Sequence, residues 1–307
     1  MRTAAARDFR RSFFADWIFG TKNLEYRAGS VRIQNDKHIR GLKLGQVGRA
    51  MLLTRLASDT SFRRSALAWN HQPVSGRPRL LDKIQLFALV APVLLFSMVA
   101  HEYAHGYAAF KQGDNTAYQL GRLTWNPIKH IDPFMTVLLP VMLFFLGGPI
   151  FGGAKPVPVN PRNYRHYRRG DIIVSLAGVA TNVVIALLSV PLVMFVGVLG
   201  SWLPALVKPF GILQLMLVQG IFINLILAAF NLIPVPPLDG SHVFKYILPP
   251  KWALAYQRLA GVGLLLLFAL LSFGRPIVSA WLAPAYYLRA LAERFYFPFM
   301  LPNPFSA

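Results

Sequence analysis

From about residue 81 onward the chain alternates long apolar runs with short polar, proline-rich or basic stretches. Leu81 to Phe110 reads as one helix, whose Ile84 to Ala100 portion holds no charge and a single amide, Gln85. Ile172 to Leu199, interrupted by Pro191, and Phe210 to Ile233 are two further apolar runs. At 1.5 Å per residue each is long enough to cross a hydrocarbon layer of about 30 Å. Phe134 to Ile150 is shorter and is broken by Pro140 and Gly147-Gly148-Pro149. Leu259 to Phe273 is also short, and Ile277 to Leu288, with Trp281, Tyr286 and Tyr287, predicts a last short span or an interfacial helix. Between the turn at Gly113 to Thr116 and Asn126-Pro127, the stretch Ala117 to Trp125 predicts short β-structure. The pattern is that of an all-α polytopic membrane protein. It has about four to six transmembrane helices, with a short β or re-entrant segment after the first. Residues 1–80 form a basic extension, 81–296 the membrane domain and 297–307 a tail.

Composition supports that class and excludes others. The 307 residues are 55% hydrophobic and contain no cysteine, so disulfides and thiolate metal sites are ruled out and any metal must use histidine and carboxylate. The formal charge of +20 invites a nucleic-acid partner, but its distribution argues otherwise. Residues 1–80 carry 16 of the 32 Lys and Arg, and most others lie in short loops between apolar runs, as expected for anionic lipid headgroups and control of topology. The extension is Arg-rich with scattered aromatics, and it lacks the apolar core and cleavage site of a secretory signal.

Chemistry concentrates in His101-Glu102-Tyr103-Ala104-His105, the His-Glu-x-x-His signature, near the end of the first apolar run. Residues four apart on a helix lie about 40° apart around its axis, so both imidazoles can face one metal ion. Glu102 projects close by, able to activate a water without being a ligand. Ionisable groups in a bilayer are costly unless paired or metal-bound, so the setting favours function. A catalytic zinc takes three protein ligands and leaves a position for water. Asp239, the sole acidic residue between Asp171 and Glu293, follows a proline-broken helix end and is a candidate third ligand; His242 is its rival.

His101-Glu102-x-x-His105 followed downstream by Asn231-x-x-Pro234-x-x-Pro237-Leu238-Asp239-Gly240 resembles the site-2 protease family of intramembrane zinc metalloproteases. Phe151 to Asn160 and Ser175-Leu176-Ala177-Gly178 resemble its compact bacterial members, which lack PDZ and CBS domains. The resemblance spans roughly residues 84–245. It implies zinc held by His101, His105 and Asp239, Glu102 as general base, and Asn231 holding the substrate or stabilising the oxyanion. It also implies a membrane-spanning protein substrate cleaved near the cytoplasmic face and a multi-pass location in the cell's inner membrane. The chain departs from the family at Val179, where proline is common, and at Gly153, where an aromatic is common. The same His, Glu and Asp cluster would also suit a membrane metal transporter or a catalytically silent scaffold.

His105 and Asp239 both lie near C-terminal helix ends and must reach one depth, so the chain crosses an even number of times between them. Three apolar runs intervene, and Phe134 to Ile150 is the one expected not to cross. Loops 111–132, 152–170 and 241–258 then share a side and carry 3, 5 and 3 Lys or Arg, against Lys208 opposite. The positive-inside rule puts that side in the cytoplasm. Tyr118 to Leu123 are candidates for edge pairing with an extended substrate, and His130, Asp132 and Lys155 for a water path.

Overall fold

The computed structural model describes residues 80–139, 142–143 and 152–305. The expectations for the N-terminal extension, and for most of Phe134 to Ile150, lie outside the described residues. No strand occurs among the described residues, and four helical stretches are long and apolar enough to cross a membrane: Ile84–Gln112, Tyr167–Trp202, Pro204–Asn231 and Pro250–Phe273.

Helix α1 (Leu80–Gln112) carries the metal motif close to its C-terminal end. It stops at Gly113, whose φ of 107° suits a residue without Cβ. The amides of Gly113 and Asp114 close back on the carbonyls of Phe110 and Ala109, a Schellman ending. Asp114, fully buried, then accepts from the Thr116 amide and hydroxyl, and this local bond starts a helical turn, α2 (Thr116–Gln119). The β-structure expected over Ala117 to Trp125 is therefore replaced by α2 and a turn through Gly121. Side-chain bonding at Asp114 overrides the apparent alternation. Asp114 also accepts from the Asn160 amide and the Asn163 side chain, tying segment 152–166 to the end of α1. Burial pushes that carboxyl up, and these hydrogen bonds outweigh it, so Asp114 ionises below the usual carboxylate range.

The chain on either side of the 134–150 run comes together. The Lys155 amide donates to the His130 carbonyl, the Gly153 amide to the Met135 carbonyl, and the Thr136 hydroxyl to the Gly153 carbonyl. His130 and Asp132, expected along a water path, brace this junction instead. His130 is buried with Nε2 on the Thr124 carbonyl, and Asp132 caps the turn beginning Pro133-Phe134-Met135.

Helix α3 (Tyr167–Trp202) starts on the metal side and α4 (Val207–Asn231) returns to it. Together with α1 they form the core of the bundle. Buried Asn224 of α4 donates to Ser97 of α1 at 2.8 Å, an interhelical bond of the kind worth about 1 kcal/mol in a membrane. Exposed Leu187, Leu188 and Phe195 on α3 would be anomalous in water and are natural contacts for lipid tails.

After Asn231 the chain turns through Pro234 to Pro237, with a cis Pro236–Pro237 bond, into α5 (Asp239–Phe244). Helices α6 (Pro250–Arg258) and α7 (Gly263–Phe273) stay beside this turn. The Tyr256 hydroxyl donates to the Pro234 carbonyl, Gly263 abuts Pro236, and Leu267 and Leu271 pack on Ile233 and Leu238. Helix α8 (Arg275–Tyr296) then runs back along α4. Trp281 donates to the Ala229 carbonyl, Tyr286 meets Phe222, and Tyr296 packs with Val193 and Ile221. The segment expected as a short final span thus follows α4 through most of its length. Residues 297–305, the expected tail, pack on α3 and α4. Gly197, Gly200 and Gly211 leave room for Phe299, Leu301 and Pro304, and fully buried Gln214 bonds the Phe299 carbonyl and the Leu301 amide.

Candidate metal centre

Two elements distant in sequence supply the cluster. His101 and His105 share one face of α1, and Asp239 is the first residue of α5, presented where the proline-rich turn ends α4. Their ligand atoms all lie within 4.8 Å of one another. Asp239 Oδ2 stands 3.2 Å from His101 Nε2 and 3.4 Å from His105 Nε2, and the two Nε2 atoms are 2.9 Å apart. Gly240 fixes Asp239 by lying flat on the end of α4, with the Leu232 carbonyl where a Cβ would be.

The donor set fits zinc on three observations. Asp239 Oδ2 is buried without a hydrogen-bond donor, which is costly for a carboxylate oxygen unless a cation takes it. The His105 Nδ1 donates to the Val174 carbonyl at 2.7 Å, leaving Nε2 as a lone-pair donor toward the cluster, the arrangement typical of a ligating imidazole. Gly178 of α3 forms the floor, and a Cβ there would lie 2.5 Å from His105 Nε2 and 2.6 Å from His101 Nε2.

Glu102 is half-buried next to the cluster, and its Oε2 accepts from the Val157 amide at 2.8 Å. That bond holds the segment around Val157 against the motif helix, with Val157 also packed on Gly106. Asn231 is half-buried at the end of α4, its amide donating to the Leu227 carbonyl one turn back at 2.9 Å. It is brought to the same helix end as Asp239 but is turned toward its own helix. The rival His242 faces away from the cluster, 3.6 Å from Asp171.

Sequence reading missed the part played by α3, which contributes no ligand. Val174 orients His105 and Gly178 makes space for both imidazoles. Asp171 lies one turn inside α3 and receives Lys245 at 2.6 Å and the Tyr246 hydroxyl at 2.9 Å. The scarcity of acidic residues in the apolar region was the available signal. Val179, in place of the family's common proline, leaves α3 continuous past the site.

A model of peptidase family M50 matches residues 89–271. The chain belongs to peptidase family M50, the site-2 protease family. Its relatives include "Putative zinc metalloprotease YwhC" of Bacillus subtilis, 38% identical over 167 residues, which are 54% of this chain and 72% of the relative. "Putative zinc metalloprotease Rip2" of Mycolicibacterium smegmatis is 32% identical over 220 residues, 70% of this chain and 77% of the relative. "Putative zinc metalloprotease MJ0611" of Methanocaldococcus jannaschii is 37% identical over 132 residues, 42% of this chain and 62% of the relative. No solved structure gives a significant match. The M50 chain is thus a multi-pass membrane zinc metalloprotease.

Proposed function

We propose that this M50 protease cuts membrane-spanning protein substrates near the cytoplasmic face of the cell's inner membrane, as in regulated intramembrane proteolysis. The observation that carries the reading is the meeting of His101, His105 and Asp239 inside a bundle whose outer faces suit lipid. A substrate reaching that cluster comes through the bilayer or from its edge.

In this reading His101, His105 and Asp239 hold zinc. The ion, when bound there, would supply Lewis acidity that lowers the pKa of a water toward neutrality. Glu102, oriented by its bond from the Val157 amide, takes the proton of the attacking water and passes it to the leaving amine nitrogen. Asn231 gives up its bond to the Leu227 carbonyl and donates instead to the oxyanion or to the substrate backbone. A helical substrate hides its scissile carbonyl in a hydrogen bond, so it unwinds locally before attack. Residues 118–123 form no strand, and the backbone that meets Glu102 is that of Val157.

The metal side carries the basic residues, with Arg162 and Arg165 before α3, Arg168 and Arg169 in its first turn, and Lys245, Lys251 and Arg258 after α4. That excess supports a cytoplasmic position for the centre. The test is co-expression with candidate single-span substrates, comparing the wild type with Glu102→Gln. New fragments with the wild type alone support the reading, and identical fragments with both defeat it.

A further inference from the structure

Asp171 is 3% exposed, carries a full carboxylate, and takes no part in the reaction described above. Its partners all come from one short stretch that begins with a metal-binding candidate. Lys245 Nζ lies 2.6 Å from Oδ2, the Tyr246 hydroxyl donates to the same oxygen at 2.9 Å, and His242 Nδ1 stands 3.6 Å from Oδ1. His242 lies on α5, Lys245 caps its C-terminal end and Tyr246 follows. Arg168, also on α3, adds a bond to the Tyr246 carbonyl at 3.3 Å and lies over the Tyr246 ring. The helix that begins with Asp239 is therefore pinned at its far end to α3 by a buried ion pair and two further polar groups.

Position along α3 gives that attachment its meaning. Asp171 lies one turn before Val174, whose carbonyl orients His105, and two turns before Gly178, which touches both imidazoles. One rigid helix thus sets the two histidines through its backbone and sets α5 through a side chain. Gly240 anchors the near end of α5 on α4, but α5 has only six residues and a single anchor would leave its tilt free.

We propose that Asp171 is a positioning residue for the metal centre: by clamping Lys245, Tyr246 and His242 it holds Asp239 at the distance at which it can share an ion with His101 and His105. The proposal rests on Asp239 being a ligand. Removing a supporting partner of a ligand typically costs about 10- to 100-fold in metal affinity. A residue that merely stabilises the bundle would lower melting temperature without that change.

The experiment measures zinc affinity by chelator competition on detergent-purified full-length protein. It compares the wild type with Asp171→Asn, Lys245→Met, Asp239→Ala and Gln214→Leu, and records a melting curve with saturating zinc for each. Gln214 is the control for stability alone, since it bonds the C-terminal segment far along α4 from the centre. Expected are a loss of about 10- to 100-fold for Asp171→Asn, a similar loss for Lys245→Met, and no change for Gln214→Leu despite a lowered melting temperature. Combining Asp171→Asn with Lys245→Met should add little further loss, because both break one clamp. Zinc affinity within twofold of wild type in Asp171→Asn, with Asp239→Ala strongly weakened, overturns the clamp alone. Unchanged affinity in Asp239→Ala overturns the ligand assignment and the clamp with it.

Discussion

At the scale of single residues, the centre depends as much on an absent side chain as on those present. Gly178 leaves the two imidazoles room that even a methyl group would take. Gly178→Ala must displace His101, His105 or the α3 backbone, and overpacking of this kind costs about 1–3 kcal/mol. Zinc content of the purified variant, measured by atomic absorption, is expected to fall well below one per chain. Glu102→Gln should behave oppositely, keeping zinc while activity drops by about 10²- to 10⁴-fold, since only the proton transfer is lost. His101, Glu102 and His105 were legible as candidates because metal chemistry demands particular residue types at helical spacing. Asp239 was legible through rarity, as a carboxylate with few competitors. Gly178 and Val174 were not, because they act through space and a backbone carbonyl, and neither leaves a signature in residue type. Asn231 stands at the helix end that the sequence motif gave it, but its amide is occupied by Leu227.

At the scale of elements, short polar loops are built around buried carboxylates. Asp114 gathers the Thr116 and Asn160 amides and the Asn163 side chain, so the ends of α1 and of segment 152–166 are one unit. Its folded-state pKa is depressed, so the stability it contributes is present above the ordinary carboxylate pKa of about 4 and is lost as pH falls through the lower folded value. Hydrogen exchange at the Asn160 amide should accordingly stay protected at neutral pH and open in strong acid. Asp114→Asn should weaken protection across the whole range. The same carboxylate explains why Ala117 to Trp125 is not β-structure: a period-2 reading weighs side-chain alternation and ignores a bond from the preceding turn. Helices α1, α3 and α4 were legible from apolar length alone. The roles of α7 and α8 were not: α7 is long and apolar enough to span only as part of Pro250–Phe273, and packing alone sets α8 along α4.

At the scale of the molecule, the path of the chain follows from where helix ends meet. The Lys155 amide joins the His130 carbonyl, so residues 130 and 155 lie side by side. Helix α8 and residues 297–305 follow α4 from Ala229 to Gly211, which carries Phe305 to the end opposite the metal centre. The chain has no native cysteine, so single cysteines can report sidedness directly. In sealed vesicles, Arg162→Cys and Lys251→Cys should label from one side, and Lys208→Cys and Phe305→Cys from the other. The same labelling tests the expected even number of crossings between His105 and Asp239. The basic residues 162–169 and 245–258 then lie at the same end of the bundle as the centre, where they suit anionic headgroups.

The central claim, that His101, Glu102, His105 and Asp239 hydrolyse peptide bonds within a bilayer, is tested most directly by reconstituting the protein in liposomes with a single-span substrate. Mass spectrometry of the fragments then locates the cut. The account predicts a cut inside the substrate's apolar segment toward its cytoplasmic end, lost in Glu102→Gln, lost on zinc chelation and regained when zinc is restored. Fragments that persist unchanged in Glu102→Gln, or a cut confined to the substrate's soluble domains, would contradict it.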